Sequence, residues 1–469
     1  MAGGSITADM KQKIGFMMDV LTTRISRFAE SFPHDDLDEP LINAATQRLI
    51  DTLACALGAR SCEPARIALS LSEGAVPDRW RGRVISFSQR TTAESAAFVN
   101  SVMSRYLDYN DTGPGSHPSD CIGGLIAIAE AVEADGKRLL AATIIAYEII
   151  FRLAFGTKFR QKGWDQGFGT AVGTAAAAGH LLGLPQGRIA HAVAIAAVAN
   201  VPLRASRAGQ LSYWKAAATP FAVKNGIVAA LLAAEGMTGP EQPFEGRFGL
   251  WEQITGPFQI EPFTTEGGNS MFQKWSRLKY WPVEYNAQIG VWAAREIRAK
   301  LPLEQIASIT IDTYHQAWHE IASEPAKWNP QTRETADHSL PYIFARTLVD
   351  GAITVNSFDE AAYLDASLRP LMAKITVRAD EKMSTQFPAS VPIRVEAVVK
   401  SGEHITVELT NPKGHDENPM DNADIDDKFR SLCEPVLGRQ RVTEALNAWW
   451  NIGSSKTLTP ALDLLIPVK

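Results

Sequence analysis

The chain has 469 residues, of which 45% are apolar and 21% are charged, and its formal net charge at pH 7 is −6. This composition is typical of a soluble globular protein, and the length predicts two or three domains. The mild acidity argues against a general affinity for nucleic acid, which needs a strongly basic surface, but a local cluster of cations could still bind an anionic substrate.

The four cysteines are far apart and form no C-x-x-C pair: Cys55, Cys62, Cys121 and Cys433. Their spacing predicts neither a zinc ribbon nor an iron–sulfur cluster, and no disulfide framework is expected in a chain of this length. The N-terminal residues lack the apolar core of a signal peptide, and no strong membrane span is evident. We therefore expect a cytoplasmic protein, or one in a reducing organelle lumen, with no membrane partner.

The first 265 residues or so are predicted to be all-α, because their apolar residues recur at helical spacing and rarely alternate with period two. After a frayed start, helices are predicted over Thr22–Phe32, from Pro40 to Gly58, and over Glu63–Ser72, Thr92–Tyr106, Gly124–Ala134, Leu139–Phe155, Gly167–Leu182, Gly187–Val198 and Lys215–Glu235, with a brief extended piece at Val84–Phe87. The later helices are dense in Ala and Gly, which favours close packing of helix axes.

The pattern changes near residue 270, after Pro262 and the turn-forming Glu266–Ser270. A helix is predicted over Asn286–Leu301 and a second over Asp337–Asp350, with Pro341 in its first turn. Alternating residues predict strands over Ile306–Tyr314, Lys374–Ala379 and Val391–Leu409, the last broken by a turn at 401–403. Residues 270–410 are thus predicted to be α+β, with a small, mostly antiparallel sheet and helices on one side.

The tail is again helical, with helices predicted over Asp424–Leu432 and Val442–Trp450. Since a short helix pair cannot bury its own apolar face, we expect the tail to pack on the N-terminal helices. The fold class is therefore α plus α+β. Residues 1–269 and 411–469 form one discontinuous helical domain, and residues 270–410 are inserted into it.

A polar loop lies between two predicted helices and reads Y-L-D-Y-N-D-T-G-P-G-S-H-P-S-D-C-I-G-G over residues 106–124. Its chemically active side chains are Asp108, Asp111, Thr112, His117 and Asp120. The Gly-Pro-Gly segment within it interrupts any helix. Two interpretations are open at this point: a capped, solvated loop, or an acid/base site.

Two lysines are flanked by aromatic residues, Lys215 in L-S-Y-W-K-A-A-A and Lys279 in R-L-K-Y-W-P. Such a lysine either extends from an aromatic patch into water or is a cation held in an apolar pocket for an anion. Arg333 and His338 lie in R-E-T-A-D-H-S-L-P-Y, where Thr335 or Asp337 could cap a helix, or where the helix start could bind an anion.

Other chemistries find little support in the sequence. His315 and His319 are four residues apart, but no H-E-x-x-H motif or third ligand accompanies them, so no metal site is predicted. The G-F-G-T-A-V-G segment from Gly167 has the wrong spacing for a dinucleotide site, and neither a Walker motif nor G-x-S-x-G is present. The residues alone favour an enzyme acting on a polycarboxylate and leave its reaction open.

Seven stretches resemble motifs of the MmgE/PrpD family in their order and spacing. They are Y-L-D-Y-N-D-T with H-P-S-D, G-W-D-Q-G-F-G-T, S-Y-W-K-A-A-A, L-L-A-A-E-G-M-T-G-P, K-Y-W-P-V-E-Y-N-A-Q, R-E-T-A-D-H-S-L-P-Y and N-P-K-G-H-D-E-N-P-M. The resemblance extends over nearly the whole chain. The family contains 2-methylcitrate dehydratases, cis-aconitate decarboxylases and iminodisuccinate epimerases.

The resemblance implies a discontinuous helical domain with a smaller α+β lid domain, usually in a homodimer, and a cofactor-free active site in the cleft between the two domains. It implies catalytic roles for Asp108, His117, Lys215 and Lys279. Substrate-binding roles are expected for Thr112, Asp165, Gln166, Glu284, Arg333 and His338. Asp111 and Asp120 keep a structural role.

Two positions distinguish the subfamilies. Decarboxylase-like members have histidine where this chain has Asp165 and Glu284, and the dehydratase members resemble this chain at both positions. Two features depart from the dehydratases: only G-P-G-S separates D-T from H-P-S-D, where they have a longer loop with K-E-P, and Gln166 replaces a common histidine.

The resemblance therefore predicts a lyase that dehydrates a hydroxy-tricarboxylate such as 2-methylcitrate or citrate, as in propionate catabolism. His117 would donate or accept the proton, Asp108 would be a partner base or orient His117, and the two lysines would stabilise developing negative charge. The alternatives are a cis-aconitate decarboxylase-like lyase, an epimerase of a dicarboxylate such as iminodisuccinate, and a non-catalytic polycarboxylate-binding protein.

Overall fold

The computed structural model describes residues 18–72, 74, 79–265 and 270–468. The predicted turn at 266–269 and the frayed N-terminal segment lie outside the described residues. The helices of the N-terminal part are α1 (Val20–Ser31), α2 (Glu39–Gly58), α3 (Glu63–Ser70), α4 (Ala93–Tyr106), α5 (Ile122–Ala131), α6 (Gly136–Thr157), α7 (Gly167–Leu181), α8 (Gln186–Ala199), α9 (Trp214–Ala234) and α10 (Met271–Trp275).

The helices that follow are α11 (Gln288–Lys300), α12 (His315–Ile321), α13 (Pro325–Trp328), α14 (Arg333–Ala336), α15 (Leu340–Asp350), α16 (Glu360–Tyr363), α17 (Arg369–Met372), α18 (Glu381–Ser384), α19 (Asn422–Leu437), α20 (Arg439–Trp450) and α21 (Thr459–Asp463). The strands are β1 (Arg81–Arg83), β2 (Arg90–Thr92), β3 (Ile306–Thr313), β4 (Ile375–Ala379), β5 (Ile393–Val399) and β6 (His404–Leu409). The protein is thus mostly helical, with a small mixed sheet, as the sequence predicted.

Local side chains set where several helices begin. The carboxylate of Asp135 accepts a hydrogen bond from the Arg138 N–H at the start of α6, and Asp38 caps α2 through the Leu41 N–H. Such caps satisfy N–H groups that the helix itself leaves unpaired.

The small residues of α7 and α9 let neighbouring helices approach closely. A Cβ atom on Gly226 would lie 2.6 Å from the Ala171 carbonyl oxygen, and one on Gly173 would lie 2.9 Å from the Ala146 carbonyl oxygen. Helix α7 therefore packs backbone to backbone against both α9 and the long, buried α6.

Strands β3–β6 form a four-stranded sheet in the order β4-β3-β5-β6. Ile309 pairs with Ile375 in the parallel β3–β4 ladder, whereas Val395 of β5 pairs with Ile311 and Val407 in antiparallel ladders. Buried and half-buried residues alternate along β5, so one face of the sheet is covered, by helices that include α11. The mostly antiparallel sheet is confirmed.

The buried apolar residues form two large clusters. One combines residues of 21–278 with residues of 420–465, and the other lies within residues 281–407. The tail packs on the N-terminal helices, since Lys428 of α19 forms an ion pair with Asp51 of α2 at 2.5 Å. The domain boundaries at 269 and 410 stay predictions.

Three details of the sequence prediction are wrong. The N-terminal part is not purely helical, because β1 and β2 pair as a short antiparallel hairpin. Val84–Phe87 belongs to the connection of this hairpin and forms no strand. The predicted helix Asp337–Asp350 begins only at Leu340, where Ser339 caps α15, because residues 337–339 separate it from the short helix α14 that precedes them.

Helices α6 and α9 are long and apolar enough to cross a membrane. However, 83% of the most apolar window of α6 and 67% of that of α9 are buried inside the protein. This burial is expected of core helices.

Candidate active site

Backbone hydrogen bonds and close packing fix the polar loop between α4 and α5. Its first turn places Asp108 in the left-handed region at φ 50°, a conformation that Asp tolerates better than most residues. Further on, Thr112 and Arg277 exchange two backbone hydrogen bonds of 2.8 and 2.7 Å. Gly113 is required here, since a Cβ atom would lie 2.2 Å from the Phe151 ring. These contacts hold the loop in one position beside the site.

The Asp108 carboxylate, near the start of this loop, is paired with two cationic side chains. It accepts hydrogen bonds from Arg105, and its Oδ2 lies 3.2 Å from Lys279 Nζ. Lys279 also donates to the Asp108 carbonyl at 2.7 Å. Burial opposes the charged carboxylate, but Arg105 and Lys279 outweigh this and hold the pKa of Asp108 well below its usual range. Asp108 is therefore an anion that holds Arg105 and Lys279 in place.

A second buried carboxylate, Asp337, lies beside the first. Its Oδ1 accepts hydrogen bonds from Lys215 Nζ at 2.7 Å and from His338 Nδ1 at 2.6 Å. Its Oδ2 lies 3.3 Å from Arg333 Nη1. Because a carboxylate only accepts, His338 carries its proton on Nδ1 and leaves Nε2 as an acceptor. Burial, reinforced by Lys215, lowers the pKa of His338 to about 4.

His117 is oriented in the same way by the loop backbone. Its Nδ1 lies 2.8 Å from the Asp111 carbonyl oxygen and must be the donor, while its Nε2 lies 3.4 Å from Arg105 Nη2. Burial, followed by Arg105 and Lys279, lowers the pKa of His117 well below its usual value. His117 is thus a neutral imidazole whose Nε2 faces Arg105 and carries the lone pair that can accept a proton.

These groups border a cavity of about 80 Å³. Both imidazoles, His117 and His338, and the carboxyl of Glu284 line it. The described residues around it also include five arginines and the carboxylates of Glu284 and Glu320: Arg105, Arg160, Arg204, Arg207 and Arg277. The lining therefore has more positive than negative groups, as a pocket for an anion with several carboxylates requires.

Ion pairs position the arginines. Arg160 and Arg204 share the carboxylate of Glu320, with Arg160 at 3.4 Å, and Arg277 lies 2.8 Å from Asp416. Each guanidinium has five N–H donors, so one carboxylate partner leaves others free for a ligand. The arginines are therefore oriented before a substrate arrives.

Glu284 differs from the other carboxylates, because burial raises its pKa to about 7. Its two oxygens accept hydrogen bonds from the Asn286 N–H at 2.6 Å and the Asn286 side chain at 2.8 Å. A carboxyl with this pKa is largely protonated below neutral pH and can donate a proton. The cavity thus pairs a neutral imidazole base with a carboxylic acid.

Asp108, Asp337 and His338 bring three possible metal-ligand atoms within 4.8 Å of one another. Their donor set does not suit a metal ion, because Lys279 and Lys215 already occupy the carboxylates at 3.2 and 2.7 Å. A metal ion would have to displace these ammonium groups. The cluster is better described as a network of paired charges.

The sequence matches both domains of one protein family. The MmgE/PrpD N-terminal domain matches residues 23–262, and the MmgE/PrpD C-terminal domain matches residues 281–452. The chain belongs to the MmgE/PrpD family. The resemblance noted in the sequence is therefore confirmed.

Curated relatives of this MmgE/PrpD protein have two activities. It is 29% identical to a 2-methylcitrate dehydratase of Cupriavidus necator, over 74% of this chain and 75% of the relative. It is 26% identical to a cis-aconitate decarboxylase of Aspergillus terreus, over 99% and 98%, and 27% identical to the human cis-aconitate decarboxylase, over 76% of each. Dehydratases and decarboxylases are lyases, and the protein is an enzyme of this class.

The structure groups the site residues predicted for this MmgE/PrpD enzyme in three places. Thr112, His117, Gln166, Glu284 and His338 line the cavity. Asp108, Lys215 and Lys279 lie behind its wall, fully buried, so neither lysine extends into water. Asp165 lines a neighbouring cavity and binds Arg207 at 3.1 Å, and Arg333 lines a cavity on another side.

Sequence reasoning missed Asp337 as a site residue and missed the arginines. Asp337 stood within the R-E-T-A-D-H motif, where it was considered only as a helix cap. The arginines had no local signal, since Arg105, Arg160, Arg204 and Arg277 come from separate segments that only the fold brings together.

Proposed function

We propose that this protein dehydrates a hydroxy-tricarboxylate such as 2-methylcitrate or citrate by acid/base catalysis. One observation carries the proposal: a single cavity combines two imidazoles whose pKa values are lowered, a carboxyl group whose pKa is raised to about 7, and five arginines. Dehydration next to a carboxylate needs a base for the carbon-bound proton, positive charge for the developing carbanion, and an acid for the departing hydroxyl.

His117 is the base in this proposal. Its Nε2 removes the proton from the carbon next to a substrate carboxylate, and the arginines hold the negative charge that develops on that carboxylate. Burial, followed by Arg105 and Lys279, depresses the basicity of His117 in the free enzyme. A bound polyanion offsets the positive charge of Arg105 and Lys279 and so raises the basicity of His117.

Glu284 is the proposed acid. Its proton passes to the β-hydroxyl, the C–O bond breaks, water leaves, and the electron pair of the former C–H bond forms the alkene. His117 then carries the extra proton and Glu284 is ionised, and exchange with solvent resets both groups. Asp108 and Asp337 position this machinery through Arg105, Lys279, Lys215 and His338.

The two activities of the curated relatives make decarboxylation the second candidate. The decarboxylase of Aspergillus terreus aligns with 99% of this chain, which favours it. Dehydration is favoured by Asp165 and Glu284. At these two positions the sequence resembles the dehydratases, whereas decarboxylase-like members have histidine. A carboxyl group at position 284 supplies the acid that dehydration needs.

The purified protein should be tested with 2-methylcitrate, citrate, cis-aconitate and iminodisuccinate, with products followed by NMR and by the ultraviolet absorbance of a new alkene. We expect an alkene from a hydroxy-tricarboxylate. Carbon dioxide from cis-aconitate would replace the proposal by decarboxylation, and inversion of iminodisuccinate would replace it by epimerisation. Binding of these compounds in calorimetry without turnover would indicate a non-catalytic polycarboxylate-binding protein.

A further inference from the structure

A second cavity of about 440 Å³ adjoins the acid/base cavity. Residues 114–116 of the polar loop, together with Arg160, Gln166, Gln316 and Phe387, line both cavities. The two cavities are therefore neighbours that share part of their walls. The proposed dehydration takes place in the smaller cavity and gives the larger cavity no function.

The walls of the second cavity are largely apolar. Leu153, Ala154 and Phe155 come from the last turns of α6, and Phe159 and Phe168 stack with ring centroids 4.5 Å apart. The charged group of Asp165 at its edge is already paired, since it accepts hydrogen bonds from Ser206 at 2.9 Å and from Arg207 at 3.1 Å. This cavity suits a hydrocarbon group, because it offers contact area without demanding hydrogen bonds.

The position where the cavities meet is set by the short polar loop. Only four residues separate Thr112 from His117, and the middle of this segment carries no large side chain. A Cβ atom on Gly115 would find its nearest neighbours, Ala154 and Arg160, at 3.7 and 3.9 Å. These are ordinary contact distances, so the segment between the two cavities is thin and places no bulky side chain beside Ser116, the residue next to the proposed base.

We propose that the substrate of this enzyme carries an alkyl or aryl group larger than methyl on the carbon that loses its proton, and that this group occupies the second cavity. The inference rests on the proposed dehydration. A substituent on the carbon that faces His117 would lie near Ser116, which lines both the smaller and the larger cavity. The carboxylates remain among the arginines of the smaller cavity, which leaves no room there for a long side chain.

The test uses a series of 2-alkylcitrates with chains from methyl to pentyl, in which kcat/KM and the calorimetric affinity are both measured. Each buried methylene should raise kcat/KM roughly threefold to fourfold until the cavity is full. Ala154→Leu places a larger side chain in the apolar cavity, at a residue that does not itself line the acid/base cavity. It should reduce the pentyl-to-methyl ratio of kcat/KM at least about tenfold.

Ala423→Leu is the matched control, because Ala423 is an exposed residue in the first turn of α19. It should keep the wild-type ratio. A kcat/KM that falls as the chain lengthens, or a ratio that Ala154→Leu leaves unchanged, would overturn the inference.

If no member of the series gives an alkene, the proposed dehydration fails, and the affinities still decide the inference. An affinity that rises with chain length in the wild type, but not in Ala154→Leu, would support the apolar subsite. An affinity independent of chain length would refute it.

Discussion

His117 is the side chain on which the proposed chemistry depends most directly. Its Nδ1–H donates to the Asp111 carbonyl, so Nε2 is the ring atom that can accept a proton. His117→Ala should lower kcat about 10²- to 10⁴-fold, the usual contribution of a general base. The measurement is alkene formation under saturating substrate, with the thermal midpoint as a check of folding. Wild-type turnover in a folded His117→Ala protein would remove His117 from the mechanism.

The pH dependence of activity should be set by Glu284 on the alkaline side. Glu284 acts in its protonated form, and its pKa is raised to about 7 by burial. The value of kcat/KM should therefore fall tenfold per pH unit well above pH 7. On the acid side it should stay level below pH 6.5, because the pKa of His117 is lowered and the base stays neutral. A profile that rises from pH 7 to 9 would exclude Glu284 as the acid.

Glu284 should also make stability depend on pH. Its folded-state pKa of about 7 lies above its ordinary value of 4.5, so the folded state favours the protonated form. This stabilisation is complete below pH 4.5 and is lost as pH rises through 7, by up to about 3 kcal/mol.

Glu284→Gln keeps the shape of the side chain and removes the titration. Relative to this variant, wild type should lose stability between pH 5 and pH 8 in denaturant unfolding. A constant difference between the two proteins across this range would show that the Glu284 pKa is not raised.

At the scale of elements, the contact between α7 and α9 depends on Gly226. A Cβ atom there would lie 2.6 Å from a carbonyl oxygen of α7 and 2.8 Å from Thr174. Gly226→Ala should therefore lower the free energy of unfolding by about 1–3 kcal/mol, although Ala is the better helix former. Gly187→Ala in α8 is the control, since a Cβ atom there meets nothing within 4 Å and should be neutral or slightly stabilising. Equal effects of both changes would refute the close-packing argument.

The elements that sequence predicts well are those whose signal is local. The long periodic helices α2, α6, α7 and α9 and the alternating strand β5 were predicted within a few residues. The hairpin β1–β2 was missed because strands of three residues contain too few alternations to detect. The start of α15 was predicted three residues too early because Asp337 is as good a helix cap in the sequence as Ser339, which caps the helix in the structure.

The site was predicted only where a motif is contiguous. His117 and Thr112 come from one loop and could be found in the sequence. The pairing of Asp108 with Lys279, and of Lys215 with Asp337, joins residues more than 100 positions apart. Which charged group faces the cavity and which lies behind its wall is decided by packing, and no local pattern encodes it.

At the scale of the whole molecule, we propose a homodimer that uses the exposed start of α9. Tyr213 and Trp214 are each 49% exposed and Phe221 is 42% exposed, and the rings of Trp214 and Phe221 lie 5.8 Å apart. Exposed aromatic clusters of this kind mark association surfaces.

Phe221→Glu should shift the molecular mass measured by light scattering from dimer to monomer. Leu71→Glu changes a more exposed apolar residue outside this cluster and should leave the mass unchanged. A wild-type protein that is monomeric at micromolar concentration would refute the proposal.

The contacts of the Lys428 ammonium group make activity depend on a part of the chain that is synthesised late. It donates to the carbonyl oxygens of Tyr109 and Lys279, at 2.7 and 3.0 Å, and so ties the polar loop to the segment that carries the second buried lysine. Helix α19 begins at Asn422, so about nine-tenths of the 469 residues are synthesised before it. A nascent chain arrested before α19 should therefore lack activity even with every cavity-lining residue already translated.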